Sequence, residues 1–379
     1  MSVIVALALG ITLTEIRSHT GLRGIAALLV VAYHLQYSPN HLSIEDASSF
    51  LRRSYLMVDL FFILSGFILY YVYDNKERAD FSAQGFYLRR LIRIYPLHLI
   101  ILVLMILYRV GLAVLFLAND RAPPTDWSSA SLMMLGAQFL LVNAWLPPPN
   151  GWNIPSWSIS AEFVAYALFP LFVLLDGRFP KVFRSVAIPG ILAFYILGPA
   201  GGSLDITGGV GAPARCLAGF VSGLLVYKFS MRVTLLSSHA LGGMQIASLF
   251  WIILVMTTPT HDSLIIPAFI LLIATTCTDQ GVLARFLGTP TLRRLGEISY
   301  AVYISHILII GMLNFGWERT ARKIIPGATL ERSAFIIACY AAVIGFSLFV
   351  YSHVEKPVRR YLTGALHARR ASKTRATTV

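Results

Sequence analysis

Four groups of side chains in this sequence carry types and spacings that suit chemistry. In Gly21-Leu-Arg23-Gly-Ile-Ala-Ala-Leu-Leu-Val-Val-Ala-Tyr33-His34 the arginine and the histidine stand eleven residues apart. Eleven steps of about 100° return almost to the same helix face. At 1.5 Å per residue His34 is expected roughly 16 Å deeper than Arg23, near the middle of a membrane. An ionisable group at that depth is a functional-site candidate by default. On spacing alone, a neutral histidine hydrogen-bonded between helices is an equal reading. Arg90 and Arg93, three apart, share a helix face ahead of the next apolar run. Paired guanidinium groups suit phosphate, which they grip in a bidentate fork, although taken alone they are better explained by anchoring at a membrane edge.

Two acidic residues and a second histidine complete the set. Glu162 follows Pro155-Ser156-Trp157-Ser158-Ile-Ser160-Ala, within the first two turns of a helix, where capping also suits a carboxylate. Asp59 precedes the run Leu-Phe-Phe-Ile-Leu-Ser65-Gly66-Phe67 and is expected close to the outer membrane boundary. His306 closes Ser299-Tyr300-Ala-Val-Tyr303-Ile-Ser-His306. It could meet His34, but the further ligands of a usual metal site are missing, and no metal is expected.

The elements that must position these groups are membrane helices. Of 379 residues, 56% are hydrophobic and 13% charged, with mean hydropathy +0.70. A soluble domain carries about 25% charged residues. Apolar runs recur at lengths near the roughly 20 residues a helix needs to cross a bilayer, where unpaired backbone forbids anything but helix. An all-α polytopic bundle is expected. The net charge of +13 resides between the runs and at the C-terminus, as positive-inside topology requires, so nucleic acid is not an expected partner. Cys216, Cys277 and Cys339 form no spaced pair.

Eleven apolar candidates centre on 24–38, 55–73, 94–118, 131–147, 157–175, 184–200, 208–228, 240–258, 262–278, 297–315 and 332–353. If every basic cluster is cytoplasmic, an even number of spans must separate neighbouring clusters. Only the interval from Arg93 to Arg178 breaks this rule. Segment 131–147, short and ending in Pro147, Pro148 and Pro149, is therefore expected not to cross. About ten spans with both termini inside result. The expected organisation is a peripheral or half-buried N-terminal helix (1–20), one membrane domain (21–353) and a basic cytoplasmic tail (354–379).

Together the segments resemble the acyltransferase-3 family. The resemblance rests on Arg23 with His34, VDLFFILSGF at 58–67, Arg90-x-x-Arg93 before Ile94-Tyr-Pro96, PSWSISAEF at 155–163, LGEISYAVYISH at 295–306 and Glu355-Lys-Pro357, in the family's order along nearly the whole chain. One departure is Thr20, where the family often has an acid.

The resemblance implies a bacterial inner-membrane enzyme. It would move an acyl group, usually acetyl, from cytoplasmic acyl-coenzyme A to a hydroxyl of an exopolysaccharide or other envelope carbohydrate or glycolipid. His34 would be catalytic with Arg23 as partner, and Arg90 and Arg93 would hold the coenzyme. Glu162, Asp59, Ser158, Trp157, Tyr300 and His306 would support substrate or site. A non-enzymatic lipid or sugar transporter and a sensor that binds the donor without turnover are the alternatives that the buried charges leave open.

Overall fold

The computed structural model describes residues 15–37, 49–74, 81–121, 131–147, 151–233, 235–320, 325 and 328–364. The expected N-terminal helix before Glu15 and the basic tail beyond Gly364 lie outside the described residues. Those described are overwhelmingly helical, without a strand among them. The helices are α1 (Arg17–Leu35), α2 (Met57–Val72), α3 (Ala83–Leu117), α4 (Leu132–Phe139), α5 (Ser156–Arg178), α6 (Pro180–Leu197), α7 (Gly211–Val233), α8 (Ser238–Thr257), α9 (Ile265–Thr276), α10 (Val282–Leu287), α11 (Pro290–Glu297), α12 (Ser299–Arg319) and α13 (Ala328–Val350).

Seven stretches are long and apolar enough to cross a membrane: Ser54–Val72, Ala83–Leu117, Ser156–Arg178, Pro180–Leu197, Ser238–Thr257, Ser299–Arg319 and Thr329–Gly364. Several turn bare aliphatic faces outward, such as Leu107, Val110 and Val114 of α3 and Val186 and Ile196 of α6. Lipid is the medium in which such faces are stable. The chain is an integral membrane protein. Three further helices fall at expected crossings without that outward apolarity. α1 carries Arg23 and His34, α7 carries Arg215 and Lys228, and α9 with its preceding turn is only Asp262–Thr276. The first two form the centre of the bundle, where neighbouring helices rather than lipid surround them.

Small residues let the central helices approach closely. A Cβ on Gly66 of α2 would stand 1.9 Å from the Phe220 carbonyl oxygen of α7, and one on Gly223 of α7 would stand 1.9 Å from that of Ile63. Reciprocal glycine contacts of this kind are how membrane helices pack without a hydrophobic drive between them. α1 is sandwiched. Leu22, Ala26 and Val30 face the main core with α2, α5, α7 and α9, while Ala27, Val31 and Leu35 pack on α12 and α13 through Val302, Phe335, Cys339 and Val343.

Segment 131–147 forms no helix long enough to cross. α4 has eight residues, about 12 Å of helix against a hydrocarbon core of roughly 30 Å. Its polar residues explain why it stays folded against α5. Gln138 Nε2 donates to the Asn153 carbonyl at 3.0 Å and to Ser156 Oγ at 2.9 Å, and Asn143 Nδ2 donates to Ser156 Oγ at 3.1 Å. Ser160 Oγ donates to the Leu141 carbonyl at 2.8 Å. Two of the serines in the PSWSIS stretch are thus spent on buried backbone and amide groups, which would be costly to leave unpaired.

Candidate active site

A cavity with about 100 Å³ of water-accessible space opens among α1, α2, α3, α5 and α12. Arg23, Arg90, Arg93 and Glu162 line it together with Ser65, Ser158, Tyr166, Tyr300 and Tyr303. Five separate stretches of sequence converge there. α3 runs unbroken through Pro96 for 35 residues, so Arg90 and Arg93 share a helix with the apolar run that follows them. Their three-residue spacing turns both toward the same cavity. Arg90 also lies over the Phe86 ring, 5.8 Å from its centroid.

Charge in this cavity is unbalanced. Among the described residues Arg23, Arg90 and Arg93 form no salt bridge within 4 Å, and the buried Nε of Arg90 has no hydrogen-bond partner. The negative groups that act on Arg23 are Glu162 and Glu355, while Arg93 opposes it. These carboxylates come from α5 and from the turn after α13, and neither forms an ion pair with Arg23 within 4 Å. Tyr166, one turn along α5 from Glu162, lines the same cavity. Such an arrangement of forked donors with a cation surplus is built to receive an anion.

Beyond Tyr303 lies a histidine pair. His306, fully buried, sits one turn after Tyr303 on α12, and its Nε2 is 3.2 Å from Nδ1 of His34. The expected common face of Arg23 and His34 is realised, since both turn toward α12. His34 lies in the last turn of α1, whose helix ends at Leu35. The network assigns the protons of the neutral rings. His306 Nδ1 is 2.7 Å from the Tyr303 carbonyl oxygen and 3.3 Å from that of Val302, so it must donate and leave Nε2 as a lone pair. His34 Nδ1 then donates, shared between His306 Nε2 and the Val30 carbonyl at 3.0 Å. The Nε2 of His34 is left basic, and no described residue hydrogen-bonds to it. His34 is not among the residues lining the arginine cavity; Tyr303 and Phe61, whose rings are 5.9 Å apart, line its wall beside the histidine pair.

Other expected site residues have structural partners. Asp59 lies in the first turn of α2 and is fully buried. It accepts from Arg215 Nε at 2.9 Å and Nη2 at 2.6 Å, and both side chains are fully buried. Trp157 stacks on this pair, 5.4 Å from the guanidinium, and meets Phe62 of the cavity wall at 6.2 Å. Ser158 shares a hydrogen bond of 2.6 Å with the Tyr303 hydroxyl, and Tyr300 donates to the Ile94 carbonyl at 2.8 Å. These two tie α5 and α3 to α12 around the cavity. No group of three or more metal-ligating side chains occurs among the described residues.

Sequence reasoning missed Arg215, Tyr166 and the Tyr303 hydroxyl. Arg215 had a signal, a charge inside an apolar run, which demands a buried partner. The tyrosines had none, since a tyrosine in a membrane helix is ordinary.

A cationic cavity beside a histidine, inside a helical membrane protein, suits transfer chemistry on an anionic donor. The family profile described as an acyltransferase domain matches residues 17–352. The chain belongs to the acyltransferase-3 family, and it is an O-acyltransferase enzyme. It is 30% identical to "Acyltransferase MdmB" of Streptomyces mycarofaciens, over 91% of this chain and 92% of that one. It is 22% identical to "Peptidoglycan O-acetyltransferase OatA" of Listeria monocytogenes over 90% of this chain, which spans 55% of that relative's length. A putative peptidoglycan O-acetyltransferase of Bacillus subtilis is 24% identical, with 54% of its length covered. No solved structure matches the chain. Membership of an enzyme family disfavours the transporter and sensor alternatives.

Proposed function

We propose that the protein transfers an acyl group, acetyl first among candidates, from cytoplasmic acyl-coenzyme A to a hydroxyl of an envelope carbohydrate across a bacterial inner membrane, in a ten-span bundle. The single observation that supports this most is the cavity with three guanidinium groups that form no ion pair within 4 Å among the described residues. Arg90 and Arg93, with Arg23 behind them, receive the coenzyme phosphates. The narrow pantetheine arm then runs past Tyr300 and Tyr303 toward the histidine pair. His34 Nε2 takes the proton of the acceptor hydroxyl as its oxygen attacks the thioester carbonyl. The carbon–sulfur bond breaks, and the departing thiolate recovers a proton from the imidazolium. General-base help of this kind typically contributes ~10²–10⁴-fold.

His306 acts through His34 by holding its proton on Nδ1, the commoner role of a base's second partner. Ser158, Trp157 and Asp59 set the cavity wall, and Glu162 with Glu355 limits the charge surplus to what an anion neutralises. The test is a coenzyme A release assay on the purified full chain with acetyl-coenzyme A and envelope vesicles. Acceptor-dependent release, with an ester found on a vesicle glycan by mass spectrometry, is the expected result. No release above a protein-free blank overturns the reading.

A further inference from the structure

The end of α1 that carries His34 also carries an aromatic collar that the transfer chemistry leaves unexplained. Tyr33, adjacent to His34 in sequence, stacks edge-on against the His34 ring at 5.0 Å. Tyr37 lies one turn further, 5.3 Å from the Tyr33 ring, and Tyr55 completes the group at 5.4 Å. Three aromatic side chains from two separate segments thus surround one point. Tyr37 is 62% exposed.

Polar groups are set among these rings. The Tyr33 hydroxyl donates to Asp205 Oδ2 at 3.1 Å and accepts from the Tyr37 hydroxyl at 3.2 Å. Ser203 Oγ, 3.3 Å from the Tyr55 hydroxyl, accepts from the Asp205 backbone N–H at 3.2 Å. Asp205 and Ser203 are both exposed. Tyr55 is itself fixed from behind, because its hydroxyl donates to Asp262, which a 2.9 Å salt bridge to Arg53 and the Leu204 backbone N–H hold in turn. The collar is rigid where it faces the protein and open where it faces outward.

We infer that Tyr33, Tyr37, Tyr55 and Asp205 form the glycosyl subsite that presents the acceptor hydroxyl to His34. Flat rings match the C–H faces of a pyranose, which are apolar, while the ring edges and hydroxyls stay wet. A carboxylate accepts two sugar hydroxyls in charge-assisted bonds, stronger than neutral ones. Among the described residues, the cation bonded into this group, Arg53, is committed to Asp262 and to the Val255, Thr258 and Thr260 carbonyls. That excludes a phosphate headgroup as the favoured occupant and selects a neutral or amino sugar. An interfacial aromatic belt is the competing explanation. Belt side chains spread toward lipid, whereas these rings pack on one another around a carboxylate beside the base.

This subsite rests on the proposed transfer to a carbohydrate. The probe is envelope vesicles from a gene-deleted producing strain, titrated into the detergent-purified full chain with radiolabelled acetyl-coenzyme A. Tyr37→Ala and Asp205→Asn are each expected to raise the vesicle concentration at half-maximal transfer by about tenfold, with the donor KM moved less than about twofold. Trp145→Ala, an exposed aromatic outside the collar, is expected to leave both constants alone. Label in the chloroform–methanol phase identifies a glycolipid acceptor, and label in the insoluble or aqueous phase a polymer or soluble glycoside. Unchanged acceptor dependence in both collar variants, with wild type active, overturns the subsite while transfer stands. Labelled product on phosphatidylglycerol rather than on a glycan also overturns it. Absence of any transfer by wild type removes the function beneath it.

Discussion

Replacing Asp59 with asparagine should destabilise the protein more than replacing both members of its ion pair. Asp59 and Arg215 are each fully buried and joined by two hydrogen bonds of 2.9 and 2.6 Å. Asparagine keeps the shape but leaves the guanidinium charged, under the Trp157 ring, with only the Ile206 carbonyl at 3.4 Å as a further acceptor. Breaking a buried pair from one side costs about 3–5 kcal/mol, because an uncompensated charge is left in a low dielectric. Removing both charges with Asp59→Leu and Arg215→Met is typically neutral to stabilising by about 1–4 kcal/mol. The expected gap between single and double variants is therefore at least about 3 kcal/mol, more than a hundredfold in the folding equilibrium. Reversible unfolding by dodecyl sulfate in mixed micelles, followed by circular dichroism, measures it. If Asp59→Asn lost less than about 1 kcal/mol while donor binding collapsed, the pair would be part of the active site and not a strut of the bundle.

Three further outcomes are expected. Alanine at both Arg90 and Arg93 should weaken acyl-coenzyme A binding by at least about tenfold per residue, lysine should rescue it only in part, and added salt should weaken wild-type binding; isothermal titration reads all three. Gly66→Ala should lower thermal stability markedly, since its Cβ would meet the Phe220 carbonyl at 1.9 Å, whereas Gly111→Ala, with nothing within 4 Å, should be neutral or better in a melting assay. With Cys216, Cys277 and Cys339 replaced, a cysteine at 203 should react with an impermeant reagent from outside intact cells and one at 229 should not; the reverse pattern would invert the ten-span topology.

Much of the fold was legible because lipid leaves the chain few choices. Apolar length marks α2, α3, α5, α6, α8, α12 and α13 directly. Parity of the basic clusters singled out segment 131–147, and the buried Gln138 and Asn143 give the physical reason for its docking. Hydropathy describes α1 and α7 poorly, because helices shielded by other helices can carry arginine and histidine. The convergence of Arg23, Arg90, Arg93, Glu162, Ser158 and Tyr300 on one cavity follows from motifs that periodicity could orient but not bring together. What stayed hidden was partnership between distant residues. Asp59 pairs with Arg215, 156 positions away, and no local pattern links the two. The proton assignment of His34 depends on carbonyls of Val302 and Tyr303, which no motif encodes.

The most direct test is acyl transfer by His34→Gln. Glutamine can replace the hydrogen bond to His306 but cannot take a proton. The variant is expected to fold, to bind acetyl-coenzyme A with wild-type affinity, and to lose about 10²–10⁴-fold in transfer rate at saturating donor and acceptor. Near wild-type turnover in His34→Gln would contradict the assignment of the base and leave His34 as a tie between α1 and α12.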